Sequence, residues 1–271
     1  MTAIRELKAV RSPSRLTHDM NNEGSIQYSQ NSERAALVLL ALGRCGRKGL
    51  ALKDLAELVG AEKPAVHRTL LALRLHGLAA QTSARGRYRL GPAALALGRQ
   101  RSTPTEHIQQ WKPYLAALGQ EFRASAFLLE RSGVDALITD MYITDNTLSI
   151  LGNGGMGGRL PLGYGLGSTV ILAGQDEGNQ TAILLANESR YAELGLDVEK
   201  LRAYLTTVRE LGYDYRRNPV LDGISGISMP VIERDGSCSA AITVSKQTSD
   251  LTEDEALQII DKMKSYIKEN E

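Results

Sequence analysis

The chain has 271 residues, of which 42% are apolar and 23% are charged, and its formal net charge is +1 at pH 7. This length is typical of two domains, and the apolar content is sufficient for packed cores. The charge is unevenly distributed, because residues 1–103 carry 17 Lys and Arg against 7 Asp and Glu, whereas residues 104–271 carry 15 against 24. A basic half followed by an acidic half favours nucleic acid as the partner of the first half only.

The sequence also excludes some classes of protein. No apolar run reaches the roughly 18 residues that a membrane-spanning helix needs, and no signal peptide is apparent. Cys45 and Cys238 lie far apart in the sequence, so we expect two buried thiols in a reducing compartment rather than a disulfide or a metal site. The expected location is the cytoplasm.

The first segments are an arm and a helix. Residues 1–30 are polar and aperiodic, and we predict a mostly disordered arm. A helix is predicted from Ser32, as its N-cap, to Arg44. Its predicted packed face consists of Ala36, Leu39, Leu40 and Gly43.

Residues 51–78 have the pattern of a helix-turn-helix. Leu52, Leu55, Ala56 and Val59 follow the i, i+3, i+4, i+7 spacing of an apolar helix stripe. Gly60 favours the end of that helix, and Pro64 is compatible with the first turn of the next. The second helix is predicted to end near His76, with its packed face formed by Val66, Leu70 and Leu73. Two short helices joined by a three- or four-residue turn with Gly make a helix-turn-helix.

A basic hairpin follows the second helix. Residues 78–90 predict a strand, a turn at Ala84-Arg85-Gly86 and a second strand, which is the arrangement of a wing. The cationic side chains on or near the second helix and the hairpin are Lys63, His67, Arg68, Arg74, Arg85, Arg87 and Arg89. Such groups can neutralise phosphates and reach base edges. A small helical core with a solvated basic face is the alternative, but the wing and the charge bias favour DNA.

The next segments mark a boundary. Gly91-Pro92 is predicted to start a helix over about residues 92–101, and the Pro and hydroxyl residues at 102–105 are predicted to separate two domains. A helix over residues 105–121 then presents one apolar face, formed by Ile108, Trp111, Leu115 and Leu118.

The second half alternates strands and helices. A hairpin is predicted from residues 125–130 and 134–143, and a further strand from residues 147–151. The glycine-rich segment 152–174 is too flexible for a regular element until a helix that starts at Ser168 as its cap. The remaining predictions are helices over residues 178–189 and 196–211, a strand over 213–217, a turn at Gly223–Gly226, strands over 227–233 and 238–245 joined by Asp235-Gly236, and a last helix after the capping box Thr252–Glu255. This order predicts an α+β domain.

The acidic half lacks the signature of an enzyme. Its only histidine is His107, and no Cys/His set has metal-ligand spacing, so we predict no catalytic residue, no metal and no cofactor. The segment Gly163–Ser168 lacks the Lys-Ser/Thr ending of a phosphate-binding loop and the glycine spacing of a dinucleotide site. A glycine-rich loop that enters a helix presents free N–H groups that suit a carboxylate, which favours a pocket for a small acid. A connecting turn without a ligand is the alternative.

From Ser32 to Gly98 the chain resembles the DNA-binding domain of the IclR (isocitrate lyase regulator) family of bacterial transcription regulators. The segments that carry the resemblance are SERAALVLLALG at 32–43, LKDLAELVG at 52–60, VHRTLLALRLHGL at 66–78 and GRYRLGPAALALG at 86–98. The resemblance continues to the C-terminus. It implies an α+β fold with a winged helix-turn-helix domain at 31–103, a linker helix at 104–122 and a GAF-like effector-binding domain at 123–271, whose sheet is covered by helices on one side.

The residues predicted to contact DNA are Lys63, Pro64, Ala65, His67, Arg68, Arg85 and Arg87. The residues predicted to contact an effector, most of them by the resemblance, are Tyr164, Gly165, Leu166, Gly167, Ser168, Gly226, Thr243 and Ser245. Thr243 and Ser245 lie two apart on a predicted strand and therefore share a face. The chain departs from the family in having Ser168 where a lysine is usual and Pro64-Ala65 where many members carry Ser-Thr, so neither the ligand's charge nor the operator sequence follows from the resemblance.

The function that these features predict is a regulator that binds double-stranded DNA and responds to a small organic or aromatic acid. The expected assembly is a homodimer or a dimer of dimers on a partly palindromic operator, controlling catabolic genes. One alternative is a winged-helix protein whose second domain only oligomerises, and another is an enzyme acting on a small acid.

Overall fold

The computed structural model describes residues 29–45, 49–82, 86–98, 105–144, 157–233 and 235–270. The chain divides into two compact units, residues 1–103 and residues 104–271. Nearly all of the predicted arm, Ala84 and Arg85 of the predicted wing turn, and the predicted strand at 147–151 lie outside the described residues.

The described part of the first unit contains four helices and a three-stranded antiparallel sheet. The helices are α1 (Gln30–Arg44), α2 (Leu52–Val59), α3 (Lys63–Leu75) and α4 (Pro92–Leu97), and the strands are β1 (Leu50–Ala51), β2 (Ala79–Gln81) and β3 (Arg87–Leu90) in the order β1-β3-β2. Helix α2 ends at Gly60 in the left-handed conformation, with φ 65°, as that residue predicted. Pro64 lies in the first turn of α3, where a missing N–H costs nothing.

Helices α1, α2 and α3 pack around one core, formed by Val38, Leu42, Leu55, Ala56, Val66, Leu70, Leu73, Ala79 and Tyr88. The predicted faces of α2 and α3 are confirmed, but the face of α1 was wrong, because Ala36, Leu40 and Gly43 are exposed. The N-cap is Ser29, whose hydroxyl accepts from the Ser32 N–H, rather than Ser32. Residues 35–42 are apolar throughout, so periodicity alone does not select a face.

The second unit is built on a six-stranded antiparallel sheet in the order β6-β5-β4-β9-β8-β7. Its strands are β4 (Ser125–Ser132), β5 (Asp135–Tyr142), β6 (Arg159–Pro161), β7 (Asp214–Arg217), β8 (Ile224–Ile232) and β9 (Cys238–Gln247). Its helices are α5 (Thr105–Glu121), α6 (Leu166–Ala173), α7 (Glu177–Ala186), α8 (Glu188–Glu193), α9 (Val198–Leu211) and α10 (Glu253–Asn270). The hairpin of β4 and β5 and the Thr252 cap of α10, which accepts from the Glu255 N–H at 3.2 Å, are confirmed.

Helices cover both faces of this sheet. Alternate residues of β4, β8 and β9 pack on one face against α5 and α10, where Trp111 is 2% exposed. The other face packs against α6 to α9, with Phe127, Leu129 and Ala241 in that core. The expectation of helices on one side only was wrong, because the strands are apolar at successive positions and so bury both of their faces.

Two details near the glycine-rich segment also differ from the predictions. Helix α6 begins at Leu166 with Gly165 as its N-cap, so Ser168 is its third residue rather than its cap. Gly226 lies inside β8, where it pairs with Ser245 of β9, rather than in a turn. An interior glycine in a strand marks a place of close approach: an added Cβ would lie 2.6 Å from the Val244 carbonyl oxygen.

Candidate functional site

The exposed face of α3 carries most of the predicted DNA contacts. Lys63, Pro64, His67 and Arg68 are exposed, whereas Ala65 is partly buried. The apolar residues of the same helix hold it against α1 and α2, so the cationic side chains point away from the core of the unit. This is the arrangement that a helix needs to enter the major groove.

Arg87 has a structural contact. Its Nη2 donates to the carbonyl oxygen of Gly49 at 2.8 Å, and the side chain is partly buried. The bond joins β3 to the residue before β1, so Arg87 stabilises the small sheet whether or not it also contacts DNA. Arg89 lies on the same strand and is exposed, which makes it the better candidate for a phosphate contact.

This difference predicts separate effects for the two arginines. Arg87→Ala is expected to lower the free energy of unfolding of the first unit by about 1–2 kcal/mol, because a partly buried carbonyl loses its charged donor. Arg89→Ala is expected to leave the free energy of unfolding within about 0.5 kcal/mol of the wild-type value. It is expected to reduce the slope of log DNA affinity against log salt concentration by about one, as for the loss of one phosphate contact. Urea unfolding followed by circular dichroism, with gel shifts at several salt concentrations, measures both. Equal stability of the two variants would contradict the assignment.

A cavity lies between the start of α6 and the sheet of the second unit. It offers about 70 Å³ to the centres of water molecules, within about 590 Å³ of empty space that includes its mouth. Since one water needs about 10–15 Å³ on this measure, the cavity has room for a small ligand. Its lining is Phe127, Leu129, Ile138, Leu160, Gly165, Leu166, Gly167, Asn218, Val220, Leu221, Thr243 and Ser245.

The structure brings together five of the eight residues predicted to contact the effector, namely Gly165, Leu166, Gly167, Thr243 and Ser245. The other three lie beside the cavity without lining it. The Tyr164 hydroxyl donates to the Pro219 carbonyl at 3.4 Å, and the buried Ser168 hydroxyl donates to the Gly165 carbonyl at 3.0 Å. Gly226 faces Ser245 across the strands.

Sequence reasoning missed seven lining residues. Phe127 lies opposite Thr243 in the register of β4 and β9, and Leu129 shares its face, so strand pairing would have found both. Asn218, Val220 and Leu221 belong to the segment between β7 and β8, which has no periodic signal. The remaining two are Ile138 and Leu160.

A network of hydrogen bonds fixes the loop that forms one wall of the cavity. Gly165 has φ 109°, a conformation that L side chains rarely adopt. The Thr169 hydroxyl contacts the carbonyl oxygens of Gly165 at 2.6 Å and Gly163 at 3.1 Å. Arg216 donates to that hydroxyl at 3.0 Å and pairs with Asp214, also at 3.0 Å. Burial raises the pKa of the Asp214 carboxyl, and the Arg216 charge opposes that rise.

The start of α6 supplies N–H donors that have no partner among the described residues. The first intrahelical bond runs from the Thr169 N–H to the Gly165 carbonyl at 3.0 Å, so the amides of Leu166, Gly167 and Ser168 precede it. Such amides and the helix dipole attract anions. The cavity lining contains no Lys or Arg, so an anion there would be held by neutral donors such as these backbone amides and the side chains of Asn218 and Ser245.

The described residues show neither a metal site nor a membrane span. Within them, no three His, Cys, Asp or Glu side chains are placed to hold a metal ion. Nor does that part of the chain include a helix both long and apolar enough to cross a membrane.

Comparison with protein families decides the identity of the chain. Residues 33–83 match the IclR helix-turn-helix domain, and residues 103–268 match the family described as bacterial transcriptional regulator IclR, C-terminal. The two matches together span most of the sequence. The chain belongs to the IclR family.

Relatives of this IclR-family chain are similar to it over most of their length. The transcriptional regulator TtgV of Pseudomonas putida is 29% identical over 255 residues, which cover 88% of this chain and 91% of TtgV. Among solved structures, an IclR regulator from Alicyclobacillus acidocaldarius has a TM-score of 0.69 at 20% identity, covering 89% of this chain and 97% of that one. An IclR homolog from Microbacterium hydrocarbonoxydans complexed with 4-hydroxybenzoate has a TM-score of 0.64 at 16% identity, covering 88% and 99%. The IclR-family chain is thus a ligand-responsive, DNA-binding transcription regulator with a winged helix-turn-helix and an effector domain.

Proposed function

We propose that this regulator recognises its operator with α3 and β3 and responds to a small organic acid that occupies the cavity between α6 and the sheet. The observation that carries the proposal is the cavity itself, because it combines an apolar lining, two hydroxyl groups and the free amides of a helix start. A concave apolar site with a few convergent polar groups is the usual form of a small-molecule site. We propose catabolic genes as its targets and the cytoplasm as its location.

An aromatic or short-chain acid suits this lining best. Phe127, Leu129 and Ile138 offer an apolar wall to a ring or an alkyl chain, and the amides before Thr169 offer the site for a carboxylate. The IclR homolog solved with 4-hydroxybenzoate shares this fold, which supports starting with aromatic acids as probes.

DNA recognition is proposed for the exposed residues of α3 and the wing. Lys63, His67 and Arg68 are the proposed side-chain contacts, with Pro64 and Ala65 at the start of the helix that approaches the DNA. Arg85 and Arg87 complete the set that the sequence predicted, and we add Arg89 because it is exposed on β3. The proposed domain boundaries remain those predicted from the sequence, with the linker helix at 104–122.

Self-association is proposed as a dimer or a dimer of dimers. Several large apolar side chains of the first unit outside α3 are exposed, among them Leu40 at 37%, Leu95 at 53% and Leu97 at 64%. Exposed apolar side chains favour contact with another surface, and a second copy would supply the two-fold symmetry of a palindromic operator. The ligand then acts through a difference in affinity between two arrangements of this assembly.

A thermal-shift screen of the full chain against small carboxylates and phenolic acids tests the proposal. A ligand at 100 times its Kd is expected to stabilise the folded state by about 2.7 kcal/mol, and a true effector is expected also to change operator affinity in a gel shift. Binding by none of the acids would favour a second domain that only oligomerises. Turnover of a bound acid, followed by chromatography, would favour an enzyme instead.

A further inference from the structure

A chain of three hydrogen-bonding groups runs from the cavity into the sheet. Thr243 lines the cavity and pairs with Ser228 in the register of β8 and β9. The two hydroxyl oxygens lie 2.9 Å apart, and the Ser228 hydroxyl donates to the carbonyl oxygen of Ile242 at 3.0 Å. Ser228 is fully buried and does not line the cavity.

The number of protons on the two hydroxyl groups determines which of them donates to the other. A hydroxyl group has one proton to donate, and a carbonyl oxygen can only accept. The Ser228 proton is used by the Ile242 carbonyl, so the bond between the two hydroxyls is made by the Thr243 proton. The Thr243 oxygen then offers the cavity only lone pairs and no proton. In the reverse direction Ser228 would donate to Thr243 and its bond to Ile242 would be lost, so both bonds form together only when Thr243 is the donor.

We propose that Ser228 acts as a positioning residue that makes Thr243 an acceptor, so that the cavity selects a ligand carrying a hydrogen-bond donor, such as a hydroxyl or amino group, in addition to its acid group. This inference rests on the proposed function, because it concerns the same cavity and the same class of ligand. The carboxylate of the ligand cannot bind at Thr243, since two acceptors repel, and it binds instead at the amides of α6. Ser245 is not constrained in this way, because no described side chain or carbonyl takes its proton.

Two benzoates whose para substituents differ in hydrogen-bonding capacity test whether Thr243 acts as an acceptor. In 4-aminobenzoate the substituent donates, whereas in 4-formylbenzoate it only accepts. The wild-type protein is expected to bind 4-aminobenzoate more tightly by about 3- to 10-fold, which is the range of one neutral hydrogen bond. Ser228→Ala frees the Thr243 proton, so the affinity for 4-formylbenzoate is expected to rise. The preference for 4-aminobenzoate over 4-formylbenzoate is expected to fall by about 3- to 10-fold.

A serine on the same strand is the matched control. Ser225 is 6% exposed, and its hydroxyl bonds to Thr248 at 2.9 Å, away from the cavity lining. Ser225→Ala is expected to keep the wild-type preference, whereas a purely structural effect of removing a buried hydroxyl would change both serine variants alike. Thr243→Val is expected to bind the two benzoates with affinities within about 2-fold of each other.

Isothermal calorimetry on the full-length protein and its variants, with melting curves to check folding, separates the outcomes. An unchanged preference in Ser228→Ala overturns the inference and leaves the acid pocket in place. If that variant does not fold, the affinities of the wild-type protein for 4-hydroxybenzoate, which donates, and 4-fluorobenzoate, which does not, are compared instead. Equal affinities for these two acids overturn the inference. Binding of none of these acids contradicts the proposed ligand class itself, and the inference with it.

Discussion

Replacing Gly167 with valine is expected to abolish ligand binding in the cavity. A Cβ at this position would lie 2.8 Å from both Leu129 Cδ1 and Thr243 Oγ1, which is closer than nonbonded atoms can approach. Either these two side chains or helix α6 must therefore shift, at an expected cost of about 1–3 kcal/mol in stability, and the added methyl groups are expected to occupy the ligand's space. The expected loss of affinity is at least about 10-fold by calorimetry with an acid identified by screening.

Gly43→Val is the matched control for this change. It places the same side chain on another helical glycine, which is exposed and whose Cβ would make an ordinary contact of 3.9 Å with Leu90 Cδ1. Wild-type ligand affinity is expected there. In the Gly167 variant, ligand-free operator affinity is expected to be unchanged, so a simultaneous loss of operator binding would assign Gly167 to the fold or the assembly. Undiminished ligand binding in the Gly167 variant would place the effector elsewhere.

Gly165→Val is a poorer test of the cavity, because φ 109° at that residue strains any side chain.

Arg68→Ala is expected to cost about 1–3 kcal/mol of operator affinity and to relax sequence preference, as for an arginine that contacts a guanine. Arg68 is exposed on α3, on the helix surface opposite the buried Val66 and Leu70. Competition gel shifts with single-base variants of a selected operator measure both the loss and the relaxed preference.

A distant arginine separates this effect from a general loss of positive charge. Arg202 lies on α9 with its side chain 42% exposed, 3.9 Å from Glu199, and Arg202→Ala removes the same charge from the acidic unit. Its operator affinity is expected to match the wild type. If Arg68→Ala and Arg202→Ala bind alike while both remain folded, α3 is not the helix that reads the DNA.

The elements that the sequence predicted well are those in which one local rule is sufficient. Helix α2 carries a single narrow apolar stripe and ends at Gly60, so its period and its terminus agree. Helix α3 ends near Gly77 and buries Val66, Leu70 and Leu73 at helical spacing, although Leu71 and Leu75 beside them are exposed. The turn at Gly133, with φ 65°, and the cap at Thr252 are similarly local. Helix α1 lacks such a signal, since its apolar residues surround the axis and only contact with α2 and α3 determines that Val38 and Leu42 are buried.

The candidate site was predictable only in part, because it depends on pairing between strands. The glycines of the loop at 163–167 are visible in the sequence, and the alternation of Thr243 and Ser245 follows from the strand period. Phe127 joins them only through the register of β4 and β9. The direction of the Thr243 hydroxyl depends on Ser228, which is 15 residues away in the chain and for which the sequence predicts only a strand. The sequence predicts a turn at Gly226, whereas its missing side chain allows β8 and β9 to pack closely.

The position of Trp111 determines what the intrinsic fluorescence of this protein can report. It is the only tryptophan in the chain, and it lies in the core between α5, α10 and the sheet face that turns away from the cavity. Its buried Nε1 has no hydrogen-bond partner among the described residues, so its emission reports the packing of the second unit from an apolar environment. Melting of the first unit is silent at tryptophan wavelengths. A change in emission on titration with an acid therefore signals a rearrangement passed through the sheet, because an occupant of the cavity and the indole ring lie on opposite sides of it.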